Sequence, residues 1–358
     1  MKIIIDARFT RIGHHDGISR YGASLIAATA RIADVSMLIS DVRQLALLPD
    51  VPYTLVNSPL SPRELFVARS VNKLGADVVV CPMQTMGSWG RRYGLILTLH
   101  DLIYYEHPAP PGFLPAPVRI LWRLYHKAFW PQRLLLDRAD TVATISRTTE
   151  ALIAKYRLTR RPVRIISNAP QPGQEPRDAA AGAEQSLLYM GSFMPYKNVE
   201  AMVAGMAGLP GYTLHLLSRI TPVRRSELEA LVPRGASVVF HDGVTDQEYD
   251  GLLRRATALV SLSRAEGYGL PLVEAMAVGT PVIASDIPIF REVGGDAASY
   301  VDPDSPRQFS DAVLRLQDPG RWEAASRRSV ERAAEFSWDE SARQLVDVAA
   351  EIVARRRR

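Results

Sequence analysis

The sequence holds a single cysteine among 358 residues, Cys81. One thiol excludes an internal disulfide and a four-thiolate zinc site. Long apolar runs are also missing, and none approaches the roughly 20 residues of a membrane-spanning helix. Nor is a secretory leader legible: Met1-Lys2 is followed by three isoleucines and then Asp6, which reads as a first strand. These three absences together point to the cytoplasm. The basic groups come without an aromatic RNA-binding motif, which argues against a nucleic-acid-binding protein. The rest is ordinary for a globular chain, with 47% apolar and 23% charged residues. At roughly 100 to 200 residues per domain the length allows two domains.

The net charge of +5 is unevenly spread. Residues 1–172 hold 22 basic and 12 acidic groups, a balance of +10, which leaves −5 for the remainder. A basic half beside an acidic half suits an anionic partner such as a membrane surface. Four of the later cations are the terminal Arg355–Arg358, which also read as a solvated tail.

Short β-branched runs alternate with helical patterns. Strands are expected at 2–6, 35–39, 77–81, 95–99, 141–145 and 163–166, with helices such as 18–30 and 61–74 between them. Several of these strands are apolar throughout, as in a parallel sheet covered on both faces. Residues 169–185 then break the pattern with Pro, Gly and small polar residues, and read as a linker. A second alternation follows, with strands near 186–190, 213–217, 238–240, 258–262 and 281–285 and another ahead of Asp302. The apolar spacing from 339 to 353 fits an amphipathic closing helix. The expected organisation is α/β: two Rossmann-like domains at 1–172 and 173–336 facing a central cleft, then a closing helix and basic tail at 337–358. Ligands of such open sheets bind at the carboxyl ends of the strands.

The chemistry concentrates in SRAEGYGLPLVEAMAVGTP, residues 263–281. A strand runs into the glycine-bearing loop Glu266-Gly267-Tyr268-Gly269, and a helix is expected to start at Pro271, whose missing N–H suits a first helical position. The amides of Gly269 and Leu270 would then lie at the positive end of that helix, a ready phosphate site. Glu266 in the loop and Glu274 in the expected first turn are eight residues apart. Carboxylates accept twice and suit the vicinal hydroxyls of a sugar or ribose. The blander reading leaves Glu274 complementing the helix dipole and Glu266 solvated.

This Glu-x7-Glu run around Gly-Tyr-Gly-Leu-Pro resembles the retaining GT-B glycosyltransferases of the large bacterial family 4, also called glycosyl transferases group 1. The resemblance is specific over residues 186–303 and looser over 1–172. It implies Glu274 on the nucleotide ribose, Glu266 on hydroxyls of the donor sugar, and the amides of Tyr268, Gly269 and Leu270 on sugar and phosphate. Lys197, in Gly-Ser-Phe-Met-Pro-Tyr-Lys-Asn, matches one member of the family's basic pair for the diphosphate. Ser192 and Tyr196 depart from that pattern. His241-Asp242-Gly243-Val244-Thr245-Asp246 resembles the base-reading turn, with Gly243 and Val244 as candidates and Asp246 expected as an N-cap. His100, in Thr-Leu-His-Asp-Leu, resembles the histidine beside the reacting carbon. Asp16-Gly17 resembles the phosphate-covering glycine loop, with Gly17 in the second glycine position.

The resemblance implies a metal-independent transferase that moves a hexose from a nucleotide diphosphate sugar, with no cofactor beyond that donor. GDP-mannose is the first expectation and UDP-hexoses the next. The implied acceptor is a lipid-linked or glycan chain of the cell envelope, such as lipopolysaccharide. Nucleotide-sugar 2-epimerases share the fold and form the second function class. Two metal-like features are set aside. His14-His15-Asp16 has poor ligand geometry, and Asp302-Pro303-Asp304 fits a turn capped by Asp304 or Ser305. Finally, Arg119, Arg123 and Lys127 lie four apart, interleaved with Trp122, Phe129 and Trp130. They fit either a membrane interface or a solvated face above core aromatics.

Overall fold

The computed structural model describes residues 1–108, 110 and 116–357. The chain divides into two compact units, Met1–Asn168 with Ser337–Arg358, and Ala169–Phe336.

The strands of the first unit are β1 (Lys2–Asp6), β2 (Asp34–Ile39), β3 (Tyr53–Leu55), β4 (Val78–Cys81), β5 (Gly94–Leu99), β6 (Thr141–Thr144) and β7 (Val163–Ile165). Among the described residues they form one seven-stranded sheet of order β3-β2-β1-β4-β5-β6-β7. Every pairing is parallel. β4, β5 and β6 are buried along their whole length, which is why their sequences lack polar alternation. β3 escapes a sequence reading because it is short and half exposed. The helices are α1 (Gly17–Ala30), α2 (Val67–Asn72), α3 (Ile103–Glu106), α4 (Ala116–Tyr125), α5 (Trp130–Leu136) and α6 (Arg147–Lys155). The stretch expected as one helix over 61–74 is a 3-10 turn, Pro62–Phe66, followed by α2.

The second unit holds β8 (Glu184–Tyr189), β9 (Thr213–Leu216), β10 (Ser237–Phe240), β11 (Ala256–Ser261), β12 (Val282–Ser285) and β13 (Ala298–Val301). The described order is β10-β9-β8-β11-β12-β13, again parallel throughout. Its helices are α7 (Val199–Gly205), α8 (Pro222–Glu229), α9 (Asp246–Leu253), α10 (Leu270–Ala277), α11 (Pro288–Gly294), α12 (Pro306–Arg315) and α13 (Pro319–Ala333). One face of the sheet packs Leu214, Leu216, Val260 and Leu262 against Met202, Val203, Phe309 and Val313. Burying each such side chain contributes about 1.5–3 kcal/mol. The order reverses between β8 and β11, so the loops after these two strands flank the topological switch point, where such sheets bind ligands.

The Pro/Gly-rich segment expected as a linker docks on the second unit. Arg177 N–H bonds the Val278 carbonyl, its guanidinium bonds the Ala256 carbonyl, and it stacks over Trp322. The closing helix α14 (Trp338–Arg357) belongs to the first unit. Leu345, Val348 and Ile352 are buried, and a side chain at Gly94 would put its Cβ 2.4 Å from Ile352 Cγ2. Arg355, Arg356 and Arg357 are exposed at the end of α14, with Arg355 reaching Thr141 Oγ1 and Arg356 the Arg92 carbonyl. Arg358 lies outside the described residues.

Candidate active site

In the first unit, His100 follows the last residue of β5. Its Nε2 lies 2.7 Å from the Pro82 carbonyl oxygen. A carbonyl only accepts, so Nε2 carries the proton and Nδ1 is left as an acceptor. Desolvation lowers the His100 pKa below the ordinary 6.5, against the opposing Pro82 bond and the charge of Asp16. The ring is neutral at pH 7. Tyr21 meets it edge-on at 5.1 Å. The His100 backbone carbonyl accepts from Thr149 Oγ1 at 3.1 Å, and Thr149 in turn accepts from Ser146 Oγ. Asp101 accepts from Ile103 N and so shapes the turn.

Asp16 caps α1 by accepting from Ser19 N, and Arg11 pairs with it at 2.7 Å. Burial pushes its carboxyl up, but the Arg11 and Ser19 bonds outweigh that and hold it below the usual range. Gly17 is the first residue of α1 and exposed. The left-handed glycine of this segment is Gly13, at φ 82°.

In the second unit the site gathers at the ends of β8 and β11. Gly191 follows β8 under the Tyr189 hydroxyl, which would lie 2.7 Å from an added Cβ. Lys197 ends a 3-10 turn, Pro195–Lys197, and its ammonium lies 2.5 Å from Glu266 Oε1 and above the Tyr196 ring. Ser263 Oγ donates to the same oxygen at 2.9 Å. Glu266 is therefore not solvated. Next to Lys197, Asn198 sits in the left-handed region and donates to the carbonyls of Leu262 and Pro303. Sequence reasoning missed Asn198 and Ser263. The signal for Ser263 was its three-residue spacing from Glu266, which carries no meaning until the loop geometry is known.

α10 begins at Leu270, with Pro271 second and left-handed Gly269 as its N-cap. The expected start at Pro271 is thus one residue late. Glu274 also falls in the second turn, and it is 6% exposed. From there, beyond the first turn, it complements the helix dipole less than a first-turn carboxylate would. The Tyr268 ring is buried edge-on to Phe336. Burial pushes its hydroxyl pKa up.

The turn after β10 is tied to the one after β9: Gly243 N bonds the Leu217 carbonyl, and Asp242 accepts from Ile220 N. Gly243 has φ 106°, and Val244 is half-buried. The N-cap of α9 is Thr245 in a capping box with Glu248, so Asp246 is the first helical residue and not the cap. Asp302 Oδ1 accepts from Asp304 N, Asp304 pairs with Arg264, and Ser305 caps α12. Among the described residues no group of three or more His, Cys, Asp or Glu could hold a metal.

A family model described as Glycosyltransferase Family 4 matches residues 27–170, and one described as Glycosyl transferases group 1 matches residues 184–318. The chain belongs to the family 4 glycosyltransferases. The O-antigen chain mannosyltransferase RfbU of Salmonella typhimurium is 26% identical over 324 residues, covering 84% of this chain and 87% of that one. Among solved structures, sucrose-phosphate synthase from Thermosynechococcus elongatus superposes with TM-score 0.74 at 20% identity, covering 99% of both chains. HepE from Anabaena, in complex with UDP-glucose, gives TM-score 0.73 at 15% identity, covering 98% of this chain and 100% of that one. The fold is GT-B, and the chain is a glycosyltransferase.

The stripe over 119–130 divides in a way the sequence left open. Trp122 packs on Tyr104, and Phe129 stacks on Tyr105 and Tyr156. Trp130, Ile120, Leu121, Leu124 and Leu134 stay exposed beside exposed Arg119, Arg123 and Lys127. No helix among the described residues is long and apolar enough to cross a membrane.

Proposed function

We propose that this glycosyltransferase moves a hexose, mannose from GDP-mannose first among the candidates and a UDP-hexose next, to a lipid-linked or glycan acceptor with retention of configuration. The observation that carries the donor reading is the juxtaposition of Lys197, Glu266 and buried Glu274 around the start of α10. An ammonium and helix-start amides suit a diphosphate, and the two carboxylates suit sugar and ribose hydroxyls. The mannose preference draws on the relative from Salmonella typhimurium, named as a mannosyltransferase.

In this reading Lys197 and the amides of Tyr268, Gly269 and Leu270 stabilise charge on the departing diphosphate. Gly243 and Val244 meet the base, and Gly17, the first residue of α1, belongs to the loop that covers the donor phosphate. His100 stays neutral, with Nδ1 as an acceptor for a sugar hydroxyl. The carboxylates near it are already engaged, Asp16 with Arg11 and Ser19 N and Asp101 with Ile103 N, which argues against either as a nucleophile. Front-face attack, with the leaving phosphate accepting the acceptor's proton, follows as the favoured route over a covalent intermediate. Metal independence fits the engagement of Asp302 and Asp304 in a turn.

The exposed apolar and basic side chains of α4 and α5 suit an anionic lipid surface, where each basic group contributes about 1 kcal/mol. On this reading the enzyme works peripherally on the inner face of the cytoplasmic membrane, where lipid-linked acceptors are embedded.

A thermal-shift screen of GDP-, UDP- and ADP-sugars tests the donor, because a ligand bound only by the folded state raises the melting temperature. A single stabilising base identifies it; no shift with any of them rejects the reading. Release of nucleoside diphosphate should require an acceptor lipid. Conversion of the donor without one would return the epimerase reading.

A further inference from the structure

Glu266 Oε1 receives two donors at once, Lys197 Nζ at 2.5 Å and Ser263 Oγ at 2.9 Å. Among the described residues no hydrogen bond reaches Oε2. That oxygen is the one left for a ligand. The two donors on Oε1 differ in what donor binding does to them. An arriving diphosphate competes for the Lys197 ammonium, because it carries more charge than one carboxylate. Glu266 thus loses its cation in the same step that requires it to meet the sugar. Ser263 has no such competitor.

Ser263 is also built to stay. It is 0% exposed. A hydroxyl has one proton, and Ser263 gives it to Glu266. The 3.2 Å contact between Ser261 and Ser263 is therefore donated by Ser261, the last residue of β11. The Ser263 carbonyl accepts from the hydroxyl of Ser285, the last residue of β12. The serine is thereby tied to the ends of two neighbouring central strands, and a relay Ser261→Ser263→Glu266 polarises toward the carboxylate.

We infer that Ser263 is a positioning residue that holds Glu266 in its working orientation once the donor diphosphate has drawn Lys197 away. This rests on the donor reading above, which places Lys197 on the diphosphate and Glu266 on the sugar. It explains why a buried serine lies three residues before the loop carboxylate.

The experiment compares Ser263→Ala, Ser261→Ala and Glu266→Gln in the full-length protein, with free UDP and GDP as binding probes and steady-state transfer as the second readout. Ser263→Ala should lower kcat about tenfold, the equivalent of one hydrogen bond to a charged group, while nucleoside diphosphate affinity stays within about twofold. Ser261→Ala should show the same split at smaller amplitude. Glu266→Gln should bind free nucleoside diphosphate more tightly than wild type, because its Lys197 is no longer paired with a carboxylate. A purely structural serine would lower melting temperature and affinity together. Wild-type kcat in Ser263→Ala overturns the inference, as does an equal loss of affinity, or unchanged or weaker diphosphate binding by Glu266→Gln. If Ser263→Ala does not fold, unchanged kcat in Ser261→Ala overturns it instead. Failure of wild type to bind either nucleotide strikes the donor reading itself, a different outcome from all of these.

Discussion

Gly269 is the residue where backbone geometry and the donor site meet, so Gly269→Ala tests both. The residue sits at φ 96° and ψ 46°, immediately before the first turn of α10. A side chain in the left-handed region costs about 1–2 kcal/mol. The new Cβ would also lie 2.9 Å from Cε1 and 3.3 Å from Cδ1 of Phe290. That ring is 0% exposed and cannot swing into solvent. Overpacking of this kind adds about 1–3 kcal/mol. The sum is about 2–5 kcal/mol against a total stability of about 5–15 kcal/mol, so the variant folds but is weakened. At about 2–4 °C per kcal/mol for a unit of this size, melting falls by about 4–20 °C in differential scanning calorimetry. Any relief moves the Gly269 and Leu270 amides, so nucleotide affinity falls as well. Gly243→Ala is the control. It also has positive φ, but its Cβ would meet only the exposed, flexible Arg219 side chain, so it loses the backbone part alone. A Gly269→Ala protein that melts with wild type and binds nucleotide normally would refute the reasoning.

Glu274→Ala should lose nucleoside diphosphate affinity by about 1.5–3 kcal/mol per charge-assisted bond, read by isothermal titration, and equal binding would remove it from the ribose. Because burial lowers the His100 pKa, its share of stability is present above the ordinary 6.5 and is lost as pH falls through the folded value. An NMR titration of its ring checks this, and a midpoint at or above 6.5 would contradict it. Replacing Ile120, Leu121 and Leu124 by Ser should reduce co-sedimentation with anionic vesicles. Replacing Arg119, Arg123 and Lys127 should abolish the part that salt screens. No binding of wild type at low salt would point to an acceptor away from the membrane. Transfer should persist in excess EDTA, and loss restored by manganese or magnesium would reopen Asp302 and Asp304.

Much of this protein was legible in its sequence because parallel strands buried on both faces need apolar runs, and glycine, proline and carboxylates mark the ends of such strands. β1, β4, β5, β11 and β12 fall where those runs lie, and Glu266, Gly269 and Glu274 sit in one loop and helix start, close enough in sequence to be read together. Tertiary structure decided what depends on partners distant in sequence. Lys197 meets Glu266 across 69 residues, and Asn198 ties Leu262 to Pro303 across 64 and 105. Periodicity can say that Trp122 or Arg356 lies on a helix. It cannot say that Tyr104 turns one inward or that the Arg92 carbonyl holds the other. Local caps were the narrow failures: Thr245 in place of Asp246, and Leu270 ahead of Pro271. In each, neighbouring residues could all begin the helix. A capping box at Thr245 and the left-handed backbone at Gly269 chose between them.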